Sequence, residues 1–424
     1  MLLWLAACAP LSPPTISVAA EVPTVVTAAW GASVPGRTRV VVDLAGEPTY
    51  ATAWEEQELS HLATVLGLVA DTEYTAWVEA EDGSRSDPTS FLTGSLVPGV
   101  PAPTVTGTPA WEPWLVTCFS GAAAGPLVLD AAGQVVWAVV SPDASRVTRT
   151  RIRPDGQGVW YGYAESEAKD LGGLVSVAWT GEELDRIEAP AFSHDFVQLP
   201  DGRLAWIEYD RRNVADRPVW GNRLVAGDAD GAEVLWSAFD TWDPTVHGDV
   251  AEDGYWTGIN AVDHDVATDT FTLGSRGLGA LVDVDATTGE VTVQLGGPTS
   301  DYTFVGDDAE LSRNHQFQKL DGAVLVHDNR DESSGSRVVE LTVDEAARTA
   351  TATWSWQHDP PLFVYALGDV HRHDDGGTLV TWSTAGVIDD LGADDTVLAT
   401  ATLPLGSVFG FLEPVDTLPG MQAP

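Results

Sequence analysis

Polar side chains that could carry chemistry stand at three places where an apolar, strand-like run begins or ends. His194 precedes the run FVQL, Asn260 precedes AV, and Arg276 directly follows TFTLGS. His315 lies between two amide residues, ahead of a hairpin. Imidazole groups transfer protons and act as nucleophiles, and guanidinium and amide groups bind anionic oxygens. Whether these residues form one site depends on the elements that position them.

From about residue 110 the chain repeats a hairpin pattern in which alternating apolar residues follow a turn with glycine. Examples are QVVWAVV after Gly133, RLAWIEY after Gly202 and AVLVHD after Gly322. Pairs of such hairpins recur about every 45–50 residues, and four-stranded units of that length predict a β-propeller. A large β-sandwich is the alternative, but it explains the period less well. We place six blades at about 111–141, 148–188, 192–238, 255–297, 312–357 and 363–414.

The predicted fold brings the polar stretches together. In a propeller the innermost strand of each blade starts beside the central channel, where ligand pockets commonly form. His194, Asn260 and His315 precede such strands at the same phase of their blades. We therefore expect one pocket, and not scattered surface histidines.

Composition limits the classes of partner. The net charge is −42, from 63 acidic and 21 basic residues, which excludes nucleic acid because phosphate binding needs a basic surface. The acidic residues are spread along the chain and indicate a solvated surface. A calcium-binding shell is the other interpretation, but no EF-hand loop is present. No phosphate-binding glycine-rich loop occurs, and His371 and His373 lack a clear third ligand, so we expect neither a cofactor nor a metal.

The start of the chain predicts export. MLLWLAAC ends in a sequence that resembles a bacterial lipobox, whose cysteine carries a lipid. We therefore expect a lipid on Cys8 and a location in the periplasm or at the cell surface; the alternative is an apolar start by chance. If Cys8 is acylated, Cys118 has no partner for an intramolecular disulfide.

Four segments follow from these patterns. Residues 1–22 read as a signal and tether, and 23–97 as a small β-sandwich of the fibronectin III or Ig-like kind, with Tyr74 in the position of a tyrosine corner. Residues 98–109 read as a linker rich in Pro and Gly, and 110–416 as the propeller. The predicted class is all-β.

The order of motifs resembles the bacterial aryl-sulfate sulfotransferases, which join an Ig-like domain to a six-bladed propeller. That family has His-Asp before a Leu-Pro-Asn-Gly turn, then W-x-H-x-N, then Ser-Arg at a strand end, and Gln-His before a hairpin. The resemblance covers about residues 190–390. The matching positions, in order, are His194-Asp195, Trp256 with Asn260, Ser275-Arg276, Leu295-Gly296-Gly297, Asn314-His315, Asp328-Asn329, Ser336-Arg337 and Gly368-Asp369-Val370.

The resemblance implies an activity and its residues. Members move a sulfuryl group from a phenolic sulfate ester to a phenol through a sulfohistidine, without a nucleotide donor such as PAPS. By resemblance His315 is the nucleophile, and Arg276 and Asn260 bind the sulfuryl oxygens. His194 transfers protons, with Asp195 to orient it. The implied partners are small molecules, an aryl sulfate donor and a phenolic acceptor.

One departure bears on activity. The family has a histidine two residues before the Asn of W-x-H-x-N, and this chain has Gly258. His247 and His264 are the histidines that could compensate. The loss supports an alternative function, a non-catalytic envelope propeller that binds a ligand, glycan or protein. Sulfate-ester hydrolysis, with water as acceptor, is a third hypothesis.

Other polar residues have structural interpretations. We expect Arg337 to tie a neighbouring blade, and His327 and His358 to lie on a strand surface or in a loop. The tryptophans read mostly as core between blades, namely Trp137, Trp206, Trp236, Trp354 and Trp382.

Overall fold

The alternating segments of the sequence form antiparallel strands. The structure is a computed structural model, and it describes residues 11–31, 36–56, 60–164, 171–306 and 308–422. The expected lipid site at Cys8 lies outside these residues. Within them, no helix is both long enough and apolar enough to cross a membrane.

Within the described residues, seven strands lie before the segment predicted as a linker. They are β1 (Thr15–Val18), β2 (Val26–Trp30), β3 (Thr38–Leu44), β4 (Glu47–Thr52), β5 (His61–Val65), β6 (Glu73–Ala80) and β7 (Thr89–Leu92). β1, β2 and β5 form one sheet, and β4, β3, β6 and β7 belong to a second. Tyr74 Oη accepts the N–H of Val69 at 3.0 Å, which is the kind of bond a tyrosine corner makes. The fibronectin III or Ig-like assignment stays a prediction.

The repeats form six sheets arranged as propeller blades. β8 (Thr104–Gly107) precedes them. Blade 1 begins with β9 (Trp114–Ser120), β10 (Gly125–Asp130) and β11 (Val135–Ala138); blade 2 has β12 (Arg146–Ile152), β13 (Gly158–Ala164), β14 (Gly172–Ala178) and β15 (Glu183–Glu188); blade 3 has β16 (Phe192–Gln198), β17 (Leu204–Val214), β18 (Arg217–Asp228) and β19 (Gly231–Ser237).

The second half of the ring continues the pattern after a short helix, α1 (Ala238–Thr241). Blade 4 has β20 (Ile259–Asp265), β21 (Thr270–Ser275), β22 (Ala280–Asp285) and β23 (Val291–Gly296); blade 5 has an edge strand β24 (Thr303–Val305) with β25 (Asn314–Leu320), β26 (Ala323–Asp328), β27 (Arg337–Asp344) and β28 (Thr349–Trp356); blade 6 has β29 (Asp369–Arg372), β30 (Thr378–Trp382), a 3₁₀ turn (Ser383–Ala385), β31 (Val387–Leu391) and β32 (Val397–Thr402). The last strands are β33 (Val408–Phe409), β34 (Glu413–Val415) and β35 (Met421–Gln422).

Glycine residues shape the turns of the repeated hairpins. At the Pro-Asp-Gly turn, Gly202 has φ +92° and its N–H bonds Leu199 O at 3.0 Å. Gly322 occupies the equivalent turn of blade 5 with φ +67°. Only glycine adopts such values without strain, so these turns fix the register of the strands on either side.

The ring closes differently from the expectation of six consecutive blades. β33 and β34 pair with β9, so residues 408–415 form the inner strand of blade 1 and do not extend blade 6. β8 adds to β32 at the outer edge of blade 6, inside the segment predicted as a linker. Pairing β8 and residues 408–415 into the ring covers strand edges that would otherwise be open.

The N-terminal sheets are also extended beyond the predicted bounds. β1 lies in the stretch predicted as a tether, and it pairs with β2. β35, at the end of the chain, pairs with β4. Buried apolar side chains of the N-terminal sheets share one cluster with Trp114 and Trp137 of blade 1, so the two parts pack directly against each other.

The tryptophans fill the core as expected. Trp137, Trp206 and Trp382 are almost completely buried, and Trp236 is 4% exposed. Trp354 is only partly buried and packs beside the apolar cluster of blades 5 and 6. Each large buried side chain stabilises the fold by about 1.5–3 kcal/mol relative to an exposed one, which holds neighbouring blades in a fixed relation.

Candidate active site

Two histidines from different blades meet where the innermost strands begin. His194 lies in β16 of blade 3 and His315 in β25 of blade 5, and their ring centroids are 6.2 Å apart. The side chain of Arg276, from blade 4, is close enough to lower the pKa of both imidazoles. The structure thus brings His194, Arg276 and His315 together, and the fourth predicted residue, Asn260, bonds the residue before His315.

A local irregularity re-aims each inner strand at this point. The pairing register shifts between Phe192 and Phe196, between Ile259 and Ala261, and between Asn314 and Phe317. Bulges bend a strand and turn a side chain away from regular alternation, often beside active sites. The shifts coincide with the predicted polar positions in blades 3, 4 and 5.

His315 has one ring nitrogen bound and the other free. Its Nδ1 contacts Asn329 Oδ1. The Asn329 amide nitrogen donates to Val364 O at 2.6 Å and Leu367 O at 2.9 Å, so the amide oxygen must face the histidine. That oxygen accepts the proton of Nδ1, which leaves the lone pair on Nε2. Within the described residues Nε2 is buried and has no hydrogen-bond partner.

Burial keeps this imidazole neutral. His315 is 1% exposed, and burial, with further contributions from His194 and Arg276, holds its pKa well below the usual 6.5. A neutral imidazole with an unshared lone pair is the form that attacks an electrophile.

The amides on either side of His315 fix the backbone that carries it. Asn314 Nδ2 donates to Ala280 O at 3.3 Å, and Gln316 Nε2 donates to Asp195 Oδ2 at 2.7 Å. Asn260 is buried, and its Nδ2 donates to Asn314 O at 2.9 Å. This bond uses one of the two N–H donors of Asn260 and makes it a positioning residue for the backbone beside His315; its expected role as a ligand of sulfuryl oxygens stays a prediction.

His194 is held in an unusual backbone conformation at the mouth of the site. Its φ is +65°, and its Nδ1 lies 2.6 Å from Ser193 Oγ. Burial, together with the charges of Arg146 and Arg276, lowers the pKa of His194 to about 3. His194 is therefore neutral at physiological pH in the empty site.

Asp195 does not orient His194, contrary to the sequence interpretation. It is fully buried and accepts from Arg149 Nε at 2.9 Å and from the backbone N–H of Val262 at 3.2 Å. Arg149 also donates to Leu412 O at 2.8 Å and lies 3.6 Å from Asp369. The two consecutive residues thus separate, with His194 at the mouth and Asp195 in a network across the axis.

Two arginines at the mouth have no carboxylate partner among the described residues. Arg276 donates from its backbone to Gly258 O at 3.0 Å and from Nη2 to Tyr365 O at 3.4 Å. Arg146 acts electrostatically on His194 and forms no ion pair with the described carboxylates. In a chain with a net charge of −42, unpaired guanidinium groups beside two neutral histidines make a site for a small anion.

Neither candidate for replacing the missing histidine points to the site. His247 Nδ1 accepts the backbone N–H of Asp243 at 3.0 Å. His264 Nε2 lies 3.1 Å from Asp269, in the same hairpin turn. The space over Gly258 is instead filled by the ring of Tyr255, since a Cβ on Gly258 would lie 2.5 Å from Tyr255 Oη.

The remaining histidines belong to other surroundings. His371 Nε2 contacts Leu412 O at 3.1 Å, whereas His373 Nδ1 contacts Glu112 at 2.9 Å, so the two histidines bind different groups. No group of three metal-binding side chains occurs in the described ranges.

Two histidines expected at the surface or in a loop have more specific environments. His327 is fully buried beside Trp382, 5.3 Å between rings, so the surface interpretation was wrong. His358 lies in a loop as expected, and its Nδ1 is 2.6 Å from Asp389. Arg337 pairs with Asp328 at 2.9 Å, which fits a structural role.

Sequence reasoning missed three contributors to the site. Asn329 was noted only as part of a motif, although it determines the tautomer of His315. Arg146 and Tyr255 gave no motif at all. Tyr255 lies three residues before Gly258, but this spacing indicates nothing until the structure shows that the tyrosine ring fills the space beside the glycine.

The comparisons with known proteins come from sequence and from structure. Residues 114–308 match the family model described as Arylsulfotransferase (ASST); His315 lies just beyond this range. A comparison with curated proteins gave no match.

Solved structures that resemble the chain are distant in sequence. A Bacteroides caccae protein of unknown function is 12% identical, with 72% of this chain and 100% of that chain covered and a TM-score of 0.46. A periplasmic gluconolactonase of Pseudomonas aeruginosa is 12% identical, with 72% and 100% covered and a TM-score of 0.41. A virginiamycin B lyase from Staphylococcus aureus is 10% identical, with 70% and 87% covered and a TM-score of 0.40.

Proposed function

We propose, from the match of residues 114–308 to the arylsulfotransferase family model, that the chain transfers a sulfuryl group from a phenolic sulfate ester to a phenol. The transfer passes through a sulfohistidine on His315. The observation that carries the proposal is the buried Nε2 of His315, which has a free lone pair and lies beside His194 and Arg276.

The first half-reaction forms a nitrogen–sulfur bond. The lone pair of His315 Nε2 attacks the sulfur, the bond from sulfur to the aryl oxygen breaks, and its electron pair leaves with the phenolate. The attacked ring becomes a cation that keeps its proton on Nδ1. Asn329 Oδ1 accepts that proton's hydrogen bond and so stabilises the sulfated imidazolium.

Fixed positive charge stabilises the sulfuryl group during transfer. Sulfuryl oxygens carry negative charge throughout, as phosphoryl oxygens do in the related reaction. The Arg276 guanidinium lacks a carboxylate partner among the described residues, and its pKa is lowered by burial, so it is a poorly solvated cation that gains from an anionic ligand.

The second half-reaction needs a base. The acceptor phenol attacks the sulfur, the nitrogen–sulfur bond breaks, and the phenolic proton is lost. His194 is neutral in the empty site. The bound sulfuryl group offsets the positive charges of Arg146 and Arg276 that lower the pKa of His194, so His194 accepts the phenolic proton and passes it to solvent, and His315 returns to its starting state. In this mechanism the main role of His194 is to activate the acceptor phenol, and not to protonate the leaving group.

Turnover kinetics test the proposal. With p-nitrophenyl sulfate as donor, we expect release of p-nitrophenol to accelerate when phenol is added, with phenyl sulfate as a product. His315→Ala abolishes release, whereas the control His264→Ala, outside the site, leaves it unchanged. If release does not depend on phenol and yields inorganic sulfate alone, the enzyme is a hydrolase. If wild type and His315→Ala release p-nitrophenol equally, the proposal is wrong.

The second candidate function is a binding propeller without catalysis. The observation in its favour is Gly258, where the family has a histidine and this chain has none. Binding of phenyl sulfate by the wild type, measured calorimetrically, without any release of phenol would support this function.

We also propose that the chain is exported and anchored through a lipid on Cys8, as the LAAC sequence predicts. The test is incorporation of labelled palmitate during expression in bacteria, with Cys8→Ser as the matched variant. Equal labelling of both proteins would contradict the proposal.

A further inference from the structure

We propose that the Tyr255 hydroxyl is a catalytic hydrogen-bond donor to the aryl oxygen of the substrate, acting beside Arg276. The inference deepens the proposed function and rests on it, because it names the group that stabilises the leaving phenolate. It starts from the space above Gly258.

The phenol ring of Tyr255 occupies the position of a side chain on residue 258. A Cβ built on Gly258 would lie 2.5 Å from Tyr255 Oη and 2.8 Å from Cε1, which is closer than non-bonded atoms approach. Gly258 also has φ +54°, a conformation that residues with a Cβ rarely adopt. Because Gly258 has no side chain, the ring of Tyr255 can occupy the space beside it.

Residue 258 belongs to the wall of the site. Its carbonyl accepts the backbone N–H of Arg276 at 3.0 Å. Two residues further on, Asn260 binds the carbonyl of Asn314, the residue before His315. Because Tyr255 Oη lies against Gly258, the hydroxyl is on the same wall as the guanidinium and the candidate nucleophile.

The charge of Arg276 reaches all of these groups. It lowers the pKa of His315 and His194, and it opposes the rise in the pKa of Tyr255 that burial causes. One cation thus acts electrostatically on the tyrosine and on both histidines, as expected if the four side chains surround one small volume.

The backbone holds Tyr255 on both sides. The N–H of Trp220 donates to Gly254 O at 2.8 Å, and the N–H of Trp256 donates to Trp220 O at 3.1 Å. Trp256 itself is 1% exposed. A donor held in this way needs little reorganisation when charge develops on the substrate.

A neutral tyrosine suits a phenolate leaving group. Burial raises the pKa of Tyr255, so the hydroxyl stays protonated across the physiological range. When the sulfur–oxygen bond breaks, its electron pair and the negative charge go to the aryl oxygen, and Tyr255 donates a hydrogen bond to that oxygen without giving up its proton. The phenolate then takes a proton from solvent.

A leaving-group series separates this role from simple filling of space. Tyr255→Phe keeps the ring and removes only the hydroxyl, and Tyr302→Phe, in another part of the propeller, is the control. For phenyl sulfate, a donor with a poor leaving group, we expect kcat/KM to fall about 10- to 100-fold in Tyr255→Phe. For p-nitrophenyl sulfate, whose leaving group delocalises its charge, we expect less than about threefold. An equal change across the series, or no change, overturns the proposal.

A binding measurement keeps the inference independent of turnover. p-Nitrophenolate does not react on its own, and a hydrogen bond to its oxygen shifts its visible absorption. We expect the wild type to bind it with a shift and Tyr255→Phe to bind it more weakly and without that shift. Equal binding and equal spectra overturn the role of Tyr255, whether or not sulfuryl transfer is found. A wild type that binds with the shift but never turns over contradicts the proposed function alone.

Discussion

At the residue scale, the chemistry of the site depends on which nitrogen of His315 carries a proton. Asn329 decides this, because its amide nitrogen is bound by two carbonyls of the loop before blade 6 and its oxygen must accept. The amide side chains of Asn260, Asn314 and Gln316 then fix the backbone that carries the ring. Preorganisation of this kind avoids the cost of orienting a nucleophile during the reaction.

Replacing Asn329 by Leu removes the acceptor for His315 Nδ1. The imidazole should then be misplaced, and either ring nitrogen can carry the proton. We expect sulfuryl transfer to fall on the order of 10²-fold. Asn329→Asp should keep an acceptor for Nδ1 and raise the pKa of His315, because a carboxylate favours the charged ring. It also loses the two hydrogen bonds that the amide nitrogen donates to Val364 O and Leu367 O. The pH profile separates the two variants, since only the Asp variant should move the acid limb to higher pH. Unchanged activity in both variants would show that Asn329 does not control the position or the tautomer of His315.

The acid limb of the wild type follows from the same pKa. Activity needs His315 neutral, and its pKa lies well below 6.5, so protonation should reduce kcat/KM only at pH values clearly below 6.5. His194, with a pKa of about 3, is also neutral over this range. An acid limb at or above pH 6.5, measured with p-nitrophenyl sulfate, would contradict the environment described for His315.

At the element scale, one network ties the inner strands of all six blades. Arg149 of β12 pairs with Asp195 of β16 and donates to Leu412 between β33 and β34. Asp195 accepts from β20 and β25, and Asp369 of β29 accepts the N–H of Leu412 at 2.8 Å. The network lies directly below the histidines and fixes the strand bulges that present them.

Removing one partner from this network should be costly. Arg149→Met leaves the buried Asp195 carboxylate with Arg151, 3.9 Å away, as its remaining ion-pair partner, and we expect the free energy of unfolding to fall by about 3–5 kcal/mol. The double variant Arg149→Met with Asp195→Asn should recover part of that loss, since the buried charge of Asp195 is then removed together with that of Arg149. Denaturant unfolding measures both. A single variant as stable as the wild type would show that the ion pair does not hold the blades.

At the scale of the whole molecule, the ring closes where blade 6 meets the start of blade 1. His373 lies at this junction, with Glu112 at 2.9 Å and Asp390 at 3.6 Å. Burial opposes its charge, but the two carboxylates prevail and raise the pKa of His373 to about 9. The protonated imidazole therefore links the two ends of the propeller.

The sign of the pH effect follows from this raised pKa. The stabilisation is fully present below the unfolded value of about 6.5 and is lost as pH rises through about 9. We expect thermal stability to decline between these values, by up to about 3 kcal/mol, and His373→Gln to flatten that part of the curve. His264→Gln, near the end of β20 and away from this junction, serves as the control. A wild type whose stability does not change over this range would contradict the link.

The sequence predicted the fold and the convergence of His194, Arg276 and His315 because both depend on local signals. Glycine turns and alternating apolar residues mark hairpins, and the blade period then places His194, Arg276 and His315 at one mouth. The closure by β33 and β34, the turning of Asp195 into the axis and the ring of Tyr255 over Gly258 were missed. Each depends on contacts between residues far apart in the chain, and no local pattern encodes those.

The most direct test of the central claim is the mass of the intact protein after mixing with excess p-nitrophenyl sulfate and no acceptor. The account predicts a gain of one sulfuryl group, mapped by peptide analysis to His315, which disappears when phenol is added and is absent in His315→Ala. A well-folded wild type that gains no sulfuryl group, or that carries it on another residue, would contradict the claim.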